Sequence, residues 1–275
     1  MSPGDGGDAG GTGPGTRVVF GIRPVEELCR ARPRDVAVVY VAEGAHSPEL
    51  EQALNAARER GIAVETRPRR LVAALAGRGV HQGVVAVAGE YRYAEMGALL
   101  AAATAPGQSA LLLLLDGITD PHNLGALIRS AEVLGAHGVV VPDHGAAPVT
   151  PAAVKASAGA TERVKVARVG NLLRTMDALR EAGIRVLGAG ADDGERLDAV
   201  DLTVPVALVI GAEGKGMREA VARRCDALFH IPQQGELSSL NASVAGAIAL
   251  YEAARQRQPA PVPASEAAPS SETAP

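Results

Sequence analysis

The chain has no tryptophan, two phenylalanines and four tyrosines in 275 residues. Any stacking on nucleic-acid bases rests on Phe20, Tyr40, Tyr91, Tyr93, Phe229, Tyr251, histidine or arginine, or is a minor contribution. Cysteine is equally scarce. Cys29 and Cys225 have neither pairing arithmetic nor metal-ligand spacing, so no metal site is expected. Both read as core residues of a reduced, cytoplasmic protein. No apolar run approaches the roughly 20 residues of a membrane span, and residues 111–115 read as one buried strand. The N-terminus lacks a charged-then-apolar signal pattern. A basic excess is missing too: net charge is −4, all of it carried by Asp5, Asp8, Glu266 and Glu272 in the tails, with residues 17–90 at +2 and 91–258 at −2. RNA recognition therefore requires local patches rather than a basic average. Arg67, Arg69 and Arg70 form one candidate and Arg30, Arg32 and Arg34 another; either is equally readable as a solvated face.

What is present is ample apolar content, 47%, in an alternating pattern. Residues 1–16, nearly half glycine, and the Pro/Ala/Ser stretch 259–275 cannot bury enough apolar surface to order themselves. Residues 17–90 read as a small α/β domain. In it a helix opens at Pro24, a buried strand spans 36–41, and a second helix is capped by Ser47 with Pro48 in its first turn. Residues 91–107 read as a linker through an Ala/Leu helix. Residues 108–258 alternate continuous apolar strands with helices, the pattern of a parallel sheet covered on both faces.

Chemistry-bearing residues concentrate in residues 206–246. A buried strand empties into Gly211-Ala212-Glu213-Gly214-Lys215-Gly216, where glycines permit positive φ and close approach to a ligand. A second strand ends at Ile231 and Pro232, followed by a polar turn with Gly235, Glu236, Ser238, Ser239 and Asn241. Strand ends offering backbone amides are where open α/β sheets bind ligands. A third dense stretch, DGITDPHNLGALIRSA at 116–131, ends a strand in two aspartates and sets Asn123 where a helix cap belongs. Arg129 lies at the edge of that helix's apolar stripe, able to reach the loop, a neighbouring chain, or Glu132 three residues on. Two competing patterns are poor: IRVLGAGADDG at 184–194 lacks the full dinucleotide fingerprint, and GAEGKG has no Ser or Thr after Gly-Lys.

Taken in order, DGITDPHNLGALIRSA, VIGAEGKGM and IPQQGELSSLNASVAG resemble the SpoU family of RNA ribose 2'-O-methyltransferases in the SPOUT superfamily, over residues 108–256. FGIRPVEE and VHQGVVA resemble the ribosomal-protein L30e-like substrate-binding domain of its bacterial 23S rRNA (guanosine-2'-O-)-methyltransferase branch, with Arg23 where that branch usually has histidine. The resemblance implies an α/β fold with a trefoil knot, and S-adenosyl-L-methionine held by Gly211, Ile231 and Leu240. It also implies a homodimer and catalysis by Arg129 with Asn123, Glu213, Ser239 and Asn241. The expected reaction is methylation of a ribose, a guanosine of 23S rRNA. Transfer RNA, an antibiotic-resistance methylase and a non-catalytic RNA-binding protein are the alternatives. Guanidinium resists deprotonation, so Arg129 suits clamping a phosphate better than taking a proton. The proton acceptor stays open, Glu213 being a candidate that is equally suited to orienting its loop. Asn123 and Asn241 are equally suited to capping helices.

Overall fold

The computed structural model describes residues 15–190, 194–235 and 239–258. The rest of both tails, residues 191–193 of the weak glycine pattern, and Glu236 and Ser238 of the polar turn lie outside the described residues. Strands Thr16–Phe20 (β1), Val36–Ala42 (β2), Val64–Arg67 (β3) and Val84–Gly89 (β4) make a sheet in the order β1-β4-β2-β3. Helices Ile22–Ala31 (α1) and Pro48–Arg58 (α2) bury Val25, Leu28, Leu50 and Leu54 on one face, and Arg69–Ala76 (α3) buries Val72 and Ala76 on the other. Ser47 caps α2 as its sequence indicates, its Oγ accepting from Leu50 N at 3.1 Å. Helix α1 begins two residues before Pro24, because Pro is tolerated throughout a first turn that lacks intrahelical acceptors. Strand β1 shortens the expected tail: Thr16 pairs with Gly89, and the register runs to Phe20↔Val85.

The expected linker is packed rather than loose. Ala94 N donates to Val166 O at 2.8 Å, and Leu99 and Ala103 of Met96–Ala103 (α4) are fully buried. Beyond it stand Leu111–Asp116 (β5), Pro121–Val133 (α5), Gly138–Pro142 (β6), Pro151–Ala156 (α6), Lys165–Val169 (β7), Leu172–Glu181 (α7) and Arg185–Ala189 (β8). They are followed by Glu195–Arg196 (β9), Val206–Gly211 (β10), Glu219–Ala222 (α8), Ala227–His230 (β11) and Ala242–Arg257 (α9). The strands form one sheet, ordered β7-β6-β5-β10-β8-β11-β9, with every pairing parallel.

The leucine run shows why both faces had to be covered. Leu111, Leu113 and Leu115 face α5 and α9, while Leu112 and Leu114 face α4 and α7. All five are essentially inaccessible, each burial contributing roughly 1.5–3 kcal/mol. Glycines end the helices where the pattern indicated, Gly135 at φ 77° and Gly183 at φ 78°. No helix of the described residues is long and apolar enough to cross a membrane. Strand order reverses at the β5/β10 junction, where Asp116 and Gly211 are register partners. A sheet of this kind offers its ligand crevice at such a reversal.

Candidate active site

Three loops meet at that junction. The one after β10 is a tight hairpin, with Ala212 N donating to Gly216 O at 3.1 Å and Gly216 N to Ala212 O at 2.9 Å. Gly214 and Gly216 adopt φ 71° and 64°, conformations that glycine takes without steric cost. A Cβ on Gly211 would collide with the Gly216 and Met217 backbone, so the strand end is bare peptide facing bare peptide. Such a cradle suits a ligand gripped through main-chain groups. Ile231 packs at the rim of the core and Leu240 is exposed, both just outside the ends of β11 and α9.

Asp116 ties the first loop to the second. It is buried to 1% exposure, and its Oδ2 accepts from Arg218 N at 2.8 Å while Oδ1 accepts from Arg218 Nε at 2.7 Å. Burying a carboxylate is costly unless both oxygens are satisfied, and here a single residue satisfies both. The sequence marks Asp116 only as one of two aspartates in a dense stretch, and Arg218 not at all. The available signal was a charge closing a run of five leucines.

The hairpin carries Glu213 to the head of α5 and the start of α9. Asn123 Nδ2 donates to Glu213 Oε1 at 3.0 Å; Asn241 Nδ2 donates to the same oxygen and also to Asn123 Oδ1, the latter at 3.1 Å. Glu213 Oε2 has no protein partner among the described residues. Three residues from three separate motifs, 118 positions apart at the extremes, thus close one polar cluster.

The structure separates the two asparagines as caps. Asp120, not Asn123, caps α5: its carboxylate accepts from His122 N at 3.1 Å and Asn123 N at 3.3 Å, with Pro121 following. This leaves the Asn123 amide free for Glu213. Asn241 does cap α9, accepting from Ser243 N at 2.9 Å, while its Nδ2 serves the cluster. Helix α9 therefore starts at Ala242 rather than Ser239. Ser239 and Leu240 lie exposed just ahead of the cap.

Arg129 does not join this cluster. Six residues along α5 from Asn123, it projects about 120° around the axis and about 9 Å further on. It is exposed and, among the described residues, makes no ion pair, so the contact with Glu132 that its spacing allows is not made. Beside it lies an open apolar groove of about 410 Å³ between α5 and α9, lined by Ala126, Ser130, Val244, Ile248 and Tyr251.

Both arginine patches change character in three dimensions. Arg30 pairs with Glu26 at 2.8 Å and Arg32 with Glu162 at 3.4 Å, so that group is largely spent. Arg67 pairs with Glu65 and stacks over Tyr40 at 5.4 Å, while Arg69 and Arg70 stay exposed. Arg23 is paired with Glu26 at 2.9 Å. Phe20 and Phe229 are buried and cannot stack on a base. Burial pushes the Cys29 thiol up to about 11 and Cys225 to about 12, which removes both as nucleophiles at neutral pH.

Residues 110–251 match the SpoU rRNA Methylase family, and residues 18–94 match the RNA 2'-O ribose methyltransferase substrate binding family. An uncharacterized tRNA/rRNA methyltransferase of Mycolicibacterium vanbaalenii is 43% identical over 89% of this chain and 78% of its own. The 23S rRNA (guanosine-2'-O-)-methyltransferase RlmB of Pseudomonas putida is 40% identical over 87% of this chain and 96% of its own. Among solved structures, the SpoU methyltransferase AviRb from Streptomyces viridochromogenes, in complex with the cofactor AdoMet, superposes with a TM-score of 0.71 at 32% identity, covering 88% of this chain and 91% of that one.

Proposed function

The chain belongs to the SpoU family of RNA methyltransferases, with S-adenosylmethionine as its cofactor, and on that premise we propose that it methylates a guanosine 2'-hydroxyl of 23S ribosomal RNA. The observation that carries this reading is the Asn123–Glu213–Asn241 cluster beside the Gly211 cradle. The choice of RNA is supported by the Pseudomonas relative's activity and by the shared substrate-binding domain.

When bound, S-adenosylmethionine supplies a methyl group activated by its sulfonium. Gly211, Ile231 and Leu240 would hold it, mainly through backbone. The chain's own task is to align a ribose hydroxyl and take its proton. In this reading Glu213 Oε2 is the acceptor, because Oε1 is occupied by two amide donors that fix the carboxylate in position. Asn123 and Asn241 are then positioning residues, and Ser239 lines the entry. Arg129 keeps its charge and clamps a phosphate beside the target ribose, bidentate.

The distance of Arg129 from the cluster favours a homodimer across the α5/α9 groove. Val244 and Tyr251 expose apolar surface there, 45% and 59% accessible, and Arg129 flanks them. A second copy seated on that groove buries this surface and carries each Arg129 toward its partner. We further propose a trefoil knot, supported by β10 running between β5 and β8, and a ribosomal-protein L30e-like fold for the first domain.

Deleting the chromosomal copy and analysing nucleosides of 23S RNA tests the reading. The expected result is loss of one 2'-O-methylguanosine, restored by the wild-type chain and not by Glu213→Gln. Unchanged 23S RNA with loss of a transfer-RNA methylation would move the substrate to tRNA.

A further inference from the structure

The two domains meet at a seam whose chemistry the reaction does not use. Glu162, whose side chain is fully buried, takes a bidentate pair from Arg17 at 2.8 and 2.9 Å and a second arginine, Arg32, at 3.4 Å. Both arginines belong to the first domain and Glu162 to the second. Tyr91 lies beneath, with the guanidinium carbons of Arg17 and Arg32 at 5.2 and 5.5 Å from its ring centre and its hydroxyl donating to Thr161 O at 3.1 Å. Arg163 pairs with Glu27 nearby. At the other end of the seam Lys155 Nζ donates to Gln82 Oε1 at 2.6 Å, passing over Gly21 so closely that any Cβ there would collide with it. Between these ends, Val154 of α6 is buried within the first domain's own core.

Two further observations say that this seam is built rather than incidental. Among the described residues only Gln82 and Ala158 combine a side chain with positive φ, at 51° and 52°, and both lie in it. Backbone strain of that kind persists where the surroundings over-determine a conformation. Secondly, α6 and the turn after it press directly on α5: a Cβ on Gly125 would fall within 2.6 Å of Ala156 Cβ and 2.9 Å of Ser157 N. A continuous packed path therefore runs from α1 and β1, through residues 150–163, to the helix carrying Asn123 and Arg129.

We propose that residues 150–163 strengthen capture of the RNA by fixing the substrate-binding domain in one register against α5, with Glu162 and Lys155 as positioning residues. The FGIR and HQG stretches, which mark the first domain in sequence, then serve in part as the socket for Lys155. The proposal rests on the RNA-methyltransferase reading for its kinetic part but not for its structural part. A domain so fixed presents bound RNA to the site at a high effective concentration; a freed domain loses that advantage.

The test uses the full chain with Glu162→Gln, Arg17→Gln and, at the exposed edge of the seam, Lys155→Met. Small-angle scattering without RNA should report an enlarged radius of gyration for Glu162→Gln and Arg17→Gln. Methyl transfer to 23S RNA should show KM for RNA raised on the order of tenfold, with kcat and S-adenosylmethionine affinity within about twofold. Lys155→Met, which leaves the buried cluster intact, should show the same KM change in smaller degree. A merely destabilised enzyme would lose active fraction, lowering kcat at unchanged KM, and that pattern would overturn the proposal. Unchanged scattering together with unchanged KM in all three variants would overturn it as well. Wild-type enzyme inactive on 23S RNA would refute the substrate reading instead, and the scattering comparison would still decide the seam.

Discussion

Glu213 receives two amide donors on one oxygen. Replacing it by Gln preserves shape while removing the acceptor, so kcat for methyl transfer should fall on the order of 10²–10⁴ with cofactor affinity nearly unchanged. Unaltered kcat would remove Glu213 from the chemistry. On the proposed reading Arg129 holds a phosphate at a distance from the cluster. Arg129→Ala should abolish transfer and leave cofactor binding intact, and Arg129→Lys should recover only part, since a point charge does not reproduce the planar fork. Full activity of the lysine variant would mean that charge alone suffices. At this scale the sequence disclosed which residues gather at the strand ends more readily than how Asn123, Glu213 and Asn241 bond to one another. Asn123 reads as a cap until the aspartate three positions earlier is seen to take that role, and nothing in residue spacing distinguishes the two.

Helices and strands were legible because their signals are local: the leucine run, Ser47-Pro48, and glycines just past helix ends. Strand β1 and the two-residue β9 were not, since each exists through pairing with a distant partner, β4 and β11. The Asp116–Arg218 link is likewise 102 residues long in sequence and joins the end of β5 to the residue that opens α8, just past the β10 hairpin. It holds the β10 hairpin against β5, which defines the cradle. Asp116→Asn weakens a hydrogen bond between charged groups, worth about 1.5–3 kcal/mol. Binding of S-adenosylmethionine should become weaker by on the order of tenfold or more, measured by calorimetry. Unchanged affinity would show that the hairpin keeps its shape without the link.

At the scale of the whole molecule, one chain assembles the cluster and the cradle but leaves Arg129 outside them. Tyr251→Arg, placed on the exposed face of α9 away from the Asn241 cap, should yield a folded monomer by sedimentation that binds cofactor yet transfers no methyl. An active monomer would return Arg129 to its own chain's site. One reaction carries the proposed function, methyl transfer to a guanosine ribose of 23S RNA. Purified protein, labelled S-adenosylmethionine and 23S RNA lacking its modifications, followed by nucleoside analysis, test it most directly. The expected product is 2'-O-methylguanosine, absent with Glu213→Gln; label on a base nitrogen or carbon, or no label on any RNA, would contradict it.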